Sequence, residues 1–248
     1  METKLLKKAD SVVCISNTLR KEAISRGVDS SKIVVVPNAV DSNFENNESE
    51  LYHEMKEKLN DKPVVGYIGS LRELEGVDLT AEAVSILKSK GIEVNFFVLT
   101  SESGQEDLRK YCLDLGISDK SFIVGPVPHN QVAPFYDLID VFVVSRPDLR
   151  VTRLVTPLKP FEAMRGGCAV VVSGLPALSE IIKDEATGRL FNAEDAQDLA
   201  NRIEELYHDE EQRIRLGESA KSWVEENRTW ATVIEGISSL YEELIKQK

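Results

Sequence analysis

Apolar, β-branched runs alternate with helix-type patterns along most of the chain, and this alternation constrains the fold more than any other feature. After residue 62, each run has the length and composition of a buried strand, and most intervening segments have the apolar spacing of a helix. The predicted strands cover residues 64–69, 94–99, 122–125, 139–145, 169–173 and 189–191. Strands and helices in this order predict an α/β fold with a doubly wound parallel sheet over residues 63–192.

Helices are predicted between these strands and after the last one. Those between the strands cover about residues 77–90, 104–116, 130–137, 157–166 and 176–184. Three more helices follow at about residues 194–206, 209–227 and 230–246. Residues 193–248 are therefore predicted to form a helical C-terminal segment.

The beginning of the chain predicts a strand–helix–strand unit that is too small to form a domain by itself. Strands are predicted at residues 11–16 and 33–36, and Asn17 or Thr18 is predicted to cap the helix between them. Two parallel strands cannot make a sheet with both faces covered. Residues 1–44 are therefore predicted to be the tail of an incomplete N-terminal domain.

A polar and acidic segment separates this unit from the main alternation. Residues 41–50 have a composition that is typical of a linker or a domain boundary. Residues 45–62 are accordingly predicted to form a linker that contains a short helix at about residues 49–60.

The loop after the predicted strand at residues 139–145 has the features of an anion-binding site. Three arginines lie in it: Arg146, Arg150 and Arg153. A helix is predicted to follow, with Thr156 as its cap and Pro157 in its first turn. A helix N-terminus just beyond the carboxyl end of a parallel strand is a natural site for phosphate.

Two charged side chains strengthen this candidate site. Lys159 adds a positive charge at the predicted helix start. Glu162 follows about one turn later, and its side chain is expected to lie near the same anion-binding site. Such a site suits a nucleotide, which has phosphates and a ribose. The alternative is an ordinary strand–loop–helix unit with a solvated basic loop.

A second candidate loop follows the predicted strand at residues 64–69. It contains Ser70 and Arg72, and Gly69 and Gly76 bracket it. Glycines at the carboxyl end of a strand let the backbone approach a ligand closely. The loop lacks the spacing of a dinucleotide-binding fingerprint, so an ordinary turn remains an equal alternative.

Composition narrows the class of ligand. The formal net charge is −12, which argues against duplex nucleic acid as a partner. A few arginines on an acidic chain fit a small anionic ligand better than a polymer. The three cysteines are scattered and indicate buried thiols in a reducing compartment rather than disulfides or a zinc site. With no apolar run long enough for a membrane span and no signal-peptide pattern, a cytoplasmic location is expected.

Several segments, in this order, carry a family resemblance. They are residues 9–16 with 32–41, residues 66–71, and the block 159–173 with 180–182 and 187–191. Together they resemble the retaining, nucleotide-sugar-dependent glycosyltransferases of family four. That family has the GT-B fold, in which two Rossmann-like domains face each other. The resemblance implies that this chain is the C-terminal, donor-binding part of such an enzyme.

The resemblance implies roles for particular residues. Glu162 matches the second glutamate of the family's E-x7-E motif, which holds the ribose hydroxyls, whereas Leu154 stands where the first glutamate belongs. Ser70 and Glu75 stand where the family often has an arginine and a lysine for the diphosphate. The available basic substitutes are Lys159, Arg72, Arg146, Arg150 and Arg153. A branch of the family also has Thr-Pro-Leu-Lys before the glutamate, and there the N–H groups of Leu158 and Lys159 would cradle the diphosphate.

The function implied is the binding of a nucleoside-diphosphate sugar for retaining hexosyl transfer, as in polysaccharide biosynthesis, with no metal or other cofactor. An N-terminal acceptor domain, in a larger enzyme or on a partner chain, would be needed for activity and would carry any peripheral membrane contact. A homo-oligomer is the other partner considered. The alternative is a non-catalytic nucleotide- or partner-binding module derived from a glycosyltransferase. A third interpretation is a sugar-nucleotide epimerase with the same two-domain architecture.

Overall fold

A computed structural model of the protein describes residues 2–41, 47–59 and 61–246. Residues 42–46, where the predicted linker begins, and residue 60, at the end of its predicted helix, lie outside the described residues. The strands are β1 (Val12–Cys14), β2 (Ile33–Val35), β3 (Val64–Ile68), β4 (Asn95–Leu99), β5 (Ser121–Val124), β6 (Val141–Val144), β7 (Ala169–Ser173) and β8 (Arg189–Phe191).

The α-helices follow the same chain order. They are α1 (Glu2–Lys8), α2 (Asn17–Ser25), α3 (Glu50–Lys58), α4 (Val77–Ser89), α5 (Gln105–Asp114), α6 (Arg150–Leu154), α7 (Lys159–Arg165), α8 (Pro176–Ser179), α9 (Ala196–His208), α10 (Glu210–Asn227) and α11 (Trp230–Lys246). The helix predicted at residues 130–137 consists of two 3₁₀ segments, His129–Gln131 and Ala133–Leu138.

Within the described residues, six parallel strands form one sheet, called the main sheet, in the order β5-β4-β3-β6-β7-β8. The α/β prediction with a doubly wound parallel sheet is therefore confirmed. Strands β3, β4, β6 and β7 are buried at every position, because helices cover both faces of such a sheet. Phe96, Phe97 and Phe142 of these strands are completely buried, and so is Phe135, whose ring stacks on that of Phe97.

The order of the strands creates a crevice between β3 and β6. From β3 the chain moves outward through β4 to β5, and it then returns to the other side of β3 to form β6. Because crossovers between parallel strands are right-handed, α4 and α7 cover opposite faces of the sheet. The loops after β3 and β6 therefore diverge, and they leave a crevice at the carboxyl ends of these two strands.

The N-terminal unit, residues 2–41, has its own small sheet. Strands β1 and β2 pair in parallel, and neither joins the main sheet. Its core contains Val12, Ala23 and Ile33. The unit is fastened to the C-terminal helices, because the Val40 N–H donates a 2.8 Å hydrogen bond to the Arg228 carbonyl. The boundaries predicted for the domains at residues 44, 62 and 192 remain predictions.

Helix α2 begins differently from the prediction. Its cap is Ser16, whose hydroxyl oxygen accepts a 3.0 Å hydrogen bond from the Leu19 N–H, rather than Asn17 or Thr18. The Asn17 and Thr18 N–H groups instead donate to the carboxylate of Glu180, which lies just after α8. A contact across so many residues of sequence is invisible to a local pattern.

Helix α7 also begins later than predicted, at Lys159, with Leu158 in the cap position. A helix capped by Thr156 would need the Pro160 N–H as the first donor to the Thr156 carbonyl, and proline has none. That carbonyl accepts a 3.1 Å hydrogen bond from the Asn38 side chain instead. Pro160, not Pro157, therefore lies in the first turn. The arginine-bearing stretch predicted as a loop contains the short helix α6.

Candidate functional site

A buried cluster of charged side chains lies at the carboxyl ends of β3 and β6. Glu75 comes from the loop after β3, Arg146 from the loop after β6, and Lys159 from the first turn of α7. The two loops flank the crevice that the strand order creates. A charged cluster in this place is a candidate for ligand binding, since ligands of open α/β sheets bind at such crevices.

The centre of the cluster is an ion pair between Glu75 and Arg146. Arg146 Nη2 lies 2.9 Å from Glu75 Oε1, and Arg146 Nε lies 3.2 Å from Oε2, so the pair is bidentate. Arg146 Nη1 also donates to the Val155 carbonyl at 3.3 Å. The side chains of Arg146 and Glu75 are 8% and 5% exposed. Arg146 is therefore committed to protein partners and is not presented to a ligand.

Lys159 is the accessible cation of the cluster. Its Nζ lies 3.0 Å from Glu75 Oε1 and 5.8 Å from the ring centre of Tyr67. Its side chain is 19% exposed, more than that of either Glu75 or Arg146. The ammonium group is thus held at the floor of the crevice by a carboxylate and an aromatic face, while part of the side chain faces solvent.

Gly69, at the end of β3, makes room for this lysine. A Cβ atom at residue 69 would lie 2.2 Å from Lys159 Cε and 2.9 Å from the Tyr67 hydroxyl, so any side chain there would displace the lysine. The φ angle of Gly69 is +151°, which also favours glycine. The adjacent Ser70 carbonyl accepts a 2.9 Å hydrogen bond from the Tyr67 hydroxyl. The position of Lys159 therefore explains why residue 69 is a glycine, which the sequence alone did not reveal.

Gly76 ties the loop after β3 to the end of β6. It adopts a left-handed conformation with φ of +64°, and a Cβ atom there would lie 2.1 Å from the Ser145 carbonyl oxygen. The Ser145 hydroxyl lies 2.6 Å from the Gly76 carbonyl oxygen and 2.8 Å from the Thr80 hydroxyl oxygen. These contacts fix the two loops of the crevice relative to each other.

Electrostatics in the cluster favour the ionised form of Glu75. Burial raises the pKa of this carboxyl, but the hydrogen bonds and charges of Arg146 and Lys159 outweigh burial, and the pKa is lowered overall. Burial, together with the negative charge of Glu75, raises the pKa of Tyr67, so this phenol stays protonated. The cluster thus carries two positive charges and one negative charge at neutral pH.

Glu162 lies about one helical turn after Lys159 on α7. Its Oε2 accepts a 2.9 Å hydrogen bond from the hydroxyl of Tyr136, which is itself buried. Among the hydrogen bonds of the described residues, none uses Oε1. The carboxylate is only partly buried, so one oxygen is positioned by the protein while the other can accept from a ligand.

The remaining basic candidates are not gathered at this site. Arg153 is exposed and pairs with Asp148, with Nη2 and Oδ2 2.5 Å apart. Arg150 pairs with Glu22 of α2 at 2.5 Å. Arg72 is exposed, and none of the ion pairs among the described residues includes it. Lys159 is therefore the basic candidate that the structure places in the crevice beside Gly69.

The uncharged candidates around α7 have distinct environments. Pro157 and Thr156 are buried, and the Thr156 hydroxyl is without a hydrogen-bond partner among the described residues. Leu158 is 45% exposed. None of the described backbone hydrogen bonds outside the regular helices and strands uses the N–H of Leu158 or Lys159. These two N–H groups can therefore donate to a ligand.

Helix α2 of the N-terminal unit contacts two segments that follow strands of the main sheet. The Glu180 carboxylate accepts from the Asn17 N–H at 2.8 Å and from the Thr18 N–H at 2.5 Å, and the Thr18 hydroxyl also contacts it. Together with the Arg150–Glu22 pair, this contact holds α2 against the loops at the carboxyl edge of the main sheet.

Sequence reasoning missed Glu75, Tyr67 and Tyr136 as parts of the site. It treated residue 75 only as a place where a basic residue was missing. The sequence signal that could have identified Glu75 was complementary charge. An acidic residue lies in the glycine-bracketed loop after β3, and arginines lie in the loop after β6. That signal becomes specific only when the strand order is known.

Two kinds of feature are absent from the described residues. No group of three or more histidine, cysteine, aspartate or glutamate side chains there could hold a metal ion. None of the helices in the described ranges has both the length and the hydropathy needed to cross a membrane.

Comparison with known protein families decides where this chain belongs. The model of the family described as Glycosyl transferases group 1 matches residues 48–223. The chain belongs to the group 1 glycosyltransferases. The model of Glycosyltransferase Family 4 matches residues 1–44. The resemblance to the C-terminal part of a GT-B glycosyltransferase is therefore confirmed.

Individual proteins agree with this assignment. D-inositol 3-phosphate glycosyltransferase of Corynebacterium efficiens is 27% identical over 186 residues, which cover 73% of this chain and 42% of that protein. A crystal structure of a glycosyltransferase from Rickettsia africae has a TM-score of 0.86 at 17% identity and covers 99% of this chain and 67% of that one. HepE of Anabaena in complex with UDP-glucose has a TM-score of 0.81 at 18% identity, with 97% and 66% covered. This group 1 chain spans about half the length of the curated relatives it matches.

Proposed function

We propose that this chain is the donor-binding portion of a retaining glycosyltransferase and binds a nucleoside-diphosphate sugar in the crevice between β3 and β6. The observation that carries the proposal is the placement of Glu162 and Lys159 one turn apart on α7, with Gly69 directly beneath the lysine. A carboxylate suits the ribose hydroxyls, and an ammonium beside an open backbone suits the diphosphate. The solved HepE complexes, which contain UDP or UDP-glucose, support a nucleotide of this type.

In this proposal, different residues of the crevice bind the ribose and the diphosphate of the donor. Glu162, held by the Tyr136 hydroxyl, accepts hydrogen bonds from the ribose. Lys159 and the N–H groups of Leu158 and Lys159 face the diphosphate and stabilise the negative charge that grows on it as the glycosidic bond breaks. These groups supply the neutralisation that a metal ion provides in other enzymes, so the proposed reaction uses no metal or other cofactor.

The proposal assigns acceptor binding to a second, N-terminal half. Strands β1 and β2 form a pair with one small core, which is too little for a domain. We propose that this pair completes a second Rossmann-like sheet, supplied by a longer protein or by a separate chain. The reacting groups then lie between the two halves, and this half alone is inactive. A cytoplasmic location is part of the same proposal, as is any peripheral membrane contact through the N-terminal half.

Calorimetric titration of the chain with uridine, guanosine and adenosine diphosphates tests donor binding. We expect one of them to bind, and we expect Glu162→Ala to weaken that binding by about 1–3 kcal/mol, the contribution of a charge-assisted hydrogen bond. Glu218→Ala is the matched control, because Glu218 is an exposed carboxylate on α10, away from the crevice. Equal affinities of the wild type and the Glu162→Ala variant would disprove the ribose role.

A second candidate function is a non-catalytic nucleotide- or partner-binding module. Leu154 stands where the family has its first motif glutamate, and Glu75 and Ser70 stand where it often has basic residues. An assay with labelled nucleotide sugar and an N-terminal half added as a second chain separates the two functions. Sugar transfer that occurs only when both chains are present supports the glycosyltransferase. Nucleotide binding without sugar transfer, whichever N-terminal half is added, supports the non-catalytic module.

A further inference from the structure

We propose that Glu75 is a positioning residue that holds the Lys159 ammonium at the floor of the crevice, ready for the donor diphosphate. This inference rests on the proposed function, because it assigns a partner to the lysine that faces the diphosphate. It adds a residue that the family pattern does not provide, since the family often has a lysine at this position.

The geometry gives Glu75 two different contacts. Arg146 binds both carboxylate oxygens and is 8% exposed, so it fixes the carboxylate in one orientation. Lys159 binds Oε1 from the solvent side, and its side chain is 19% exposed. The arginine therefore acts as an anchor for Glu75, and Glu75 in turn acts as an anchor for Lys159.

The surroundings of Lys159 make the position of its ammonium group specific. The lysine stem passes over the bare backbone of Gly69, where a Cβ atom would lie 2.2 Å from Cε. The ring of Tyr67 lies below the ammonium at 5.8 Å. A lysine has four rotatable side-chain bonds, and fixing them costs conformational entropy. Glu75 fixes them before a ligand arrives, which lowers the entropic cost of binding.

Charge alone does not explain this arrangement. The carboxylate of Glu75 repels a diphosphate, so a site that merely needed positive charge would be better without it. Glu75, Arg146 and Lys159 together carry one net positive charge, and Lys159 alone would carry the same. What the carboxylate and its arginine add is a defined location for that charge.

The double variant E75L/R146M isolates position from charge. It replaces a buried ion pair by apolar side chains of similar size, an exchange that proteins often tolerate without loss of stability. The cluster keeps one positive charge, on Lys159, but the ammonium loses its anchor. The measurement is the affinity for the nucleoside diphosphate that the wild type binds best among those of uridine, guanosine and adenosine, compared with the affinity for the matching nucleoside. Lys159→Met gives the reference for complete loss of the lysine.

We expect E75L/R146M to bind the diphosphate about five- to tenfold more weakly and the nucleoside with unchanged affinity. Lys159→Met should show a larger loss with the same selectivity for the diphosphate. A folding defect would instead weaken both ligands, and thermal unfolding monitors it directly. If the double variant retains the wild-type diphosphate affinity while Lys159→Met loses it, the positioning role is wrong and the donor site stands.

Glu75→Gln provides a second test, in which charge and positioning predict opposite changes in diphosphate affinity. It raises the net charge of the cluster to two positive charges, so charge alone predicts tighter diphosphate binding. Positioning predicts weaker binding, because a neutral amide oxygen holds the Lys159 ammonium less firmly than the carboxylate does. Tighter binding in this variant overturns the inference. The proposed function is wrong if Lys159→Met leaves diphosphate affinity unchanged or if the wild type binds none of the three diphosphates. In either case this inference is wrong as well.

Discussion

At the scale of single residues, the crevice depends on a carboxylate that stays ionised although it is buried. Glu75 is 4% exposed, and burial by itself would raise its pKa. Its two basic neighbours reverse this effect and lower its pKa. The consequence reaches beyond ligand binding, because a group with different pKa values in the folded and unfolded states makes stability depend on pH.

The lowered pKa of Glu75 predicts a loss of stability in acid. Its contribution is fully present above the pKa of the unfolded carboxyl, about 4.3, and is lost as the pH falls through the lowered pKa of the folded state. Urea unfolding from neutral pH down to about pH 3 measures this for the wild type and for E75L/R146M, which lacks the carboxylate. We expect the difference in free energy of unfolding to stay constant above about pH 5.5 and then to change in favour of the variant. A difference that does not change with pH would contradict the lowered pKa.

At the scale of elements, the sequence predicted which segments form strands and helices better than it predicted where each strand or helix begins and ends. The strand prediction at residues 94–99 differs from β4 by one residue, because a run that is buried on both faces is apolar along its whole length. Helix α6 was missed, because five residues with three charged or polar side chains carry no clear helical period. The start of α7 was misplaced because Thr156–Pro157 matches a helix entry, and only the effect of Pro160 on the next turn excludes it.

The site was predictable to the extent that it is local in sequence. Lys159 and Glu162 were identified because they lie on one helix, after a strand. Glu75 was missed because its partner Arg146 lies 71 residues away, and only the adjacency of β3 and β6 brings them together. The arginines at 150 and 153 looked equivalent to Arg146 in sequence, but their acidic partners, Glu22 and Asp148, hold them elsewhere.

The contact between Glu180 and α2 gives a prediction about an element. The carboxylate accepts from the first two N–H groups of the helix, where the helix dipole favours a negative charge. Glu180→Ala should weaken this contact by about 1–3 kcal/mol, so hydrogen exchange of the Asn17 and Thr18 amides should become faster by about tenfold or more. Glu225→Ala, which removes an exposed carboxylate from α10, should leave this exchange unchanged. Equal exchange in both variants would show that Glu180 does not hold the helix.

At the scale of the whole molecule, the two units are joined by a small apolar contact as well as by Glu180. Val36 and Ala39, which follow β2, pack against Val233 in the first turns of α11. The groups proposed to bind the nucleotide, Glu162 and Lys159, lie in the other unit, on α7. The Asn38–Thr156 hydrogen bond next to α7 does not involve Val233, so loss of the apolar contact alone should leave nucleotide binding intact.

Val233→Asp tests this separation, because Val233 is 8% exposed and a carboxylate there would be buried without a partner. We expect faster hydrogen exchange throughout β1, α2 and β2, while the main sheet stays protected and nucleoside-diphosphate affinity changes less than about twofold. Ile234→Asp is the matched control, since the neighbouring Ile234 is 51% exposed and its substitution should change neither measurement. A large loss of nucleotide affinity in Val233→Asp alone would mean that the N-terminal unit contributes to the donor site. The crevice between β3 and β6 would then be only part of that site.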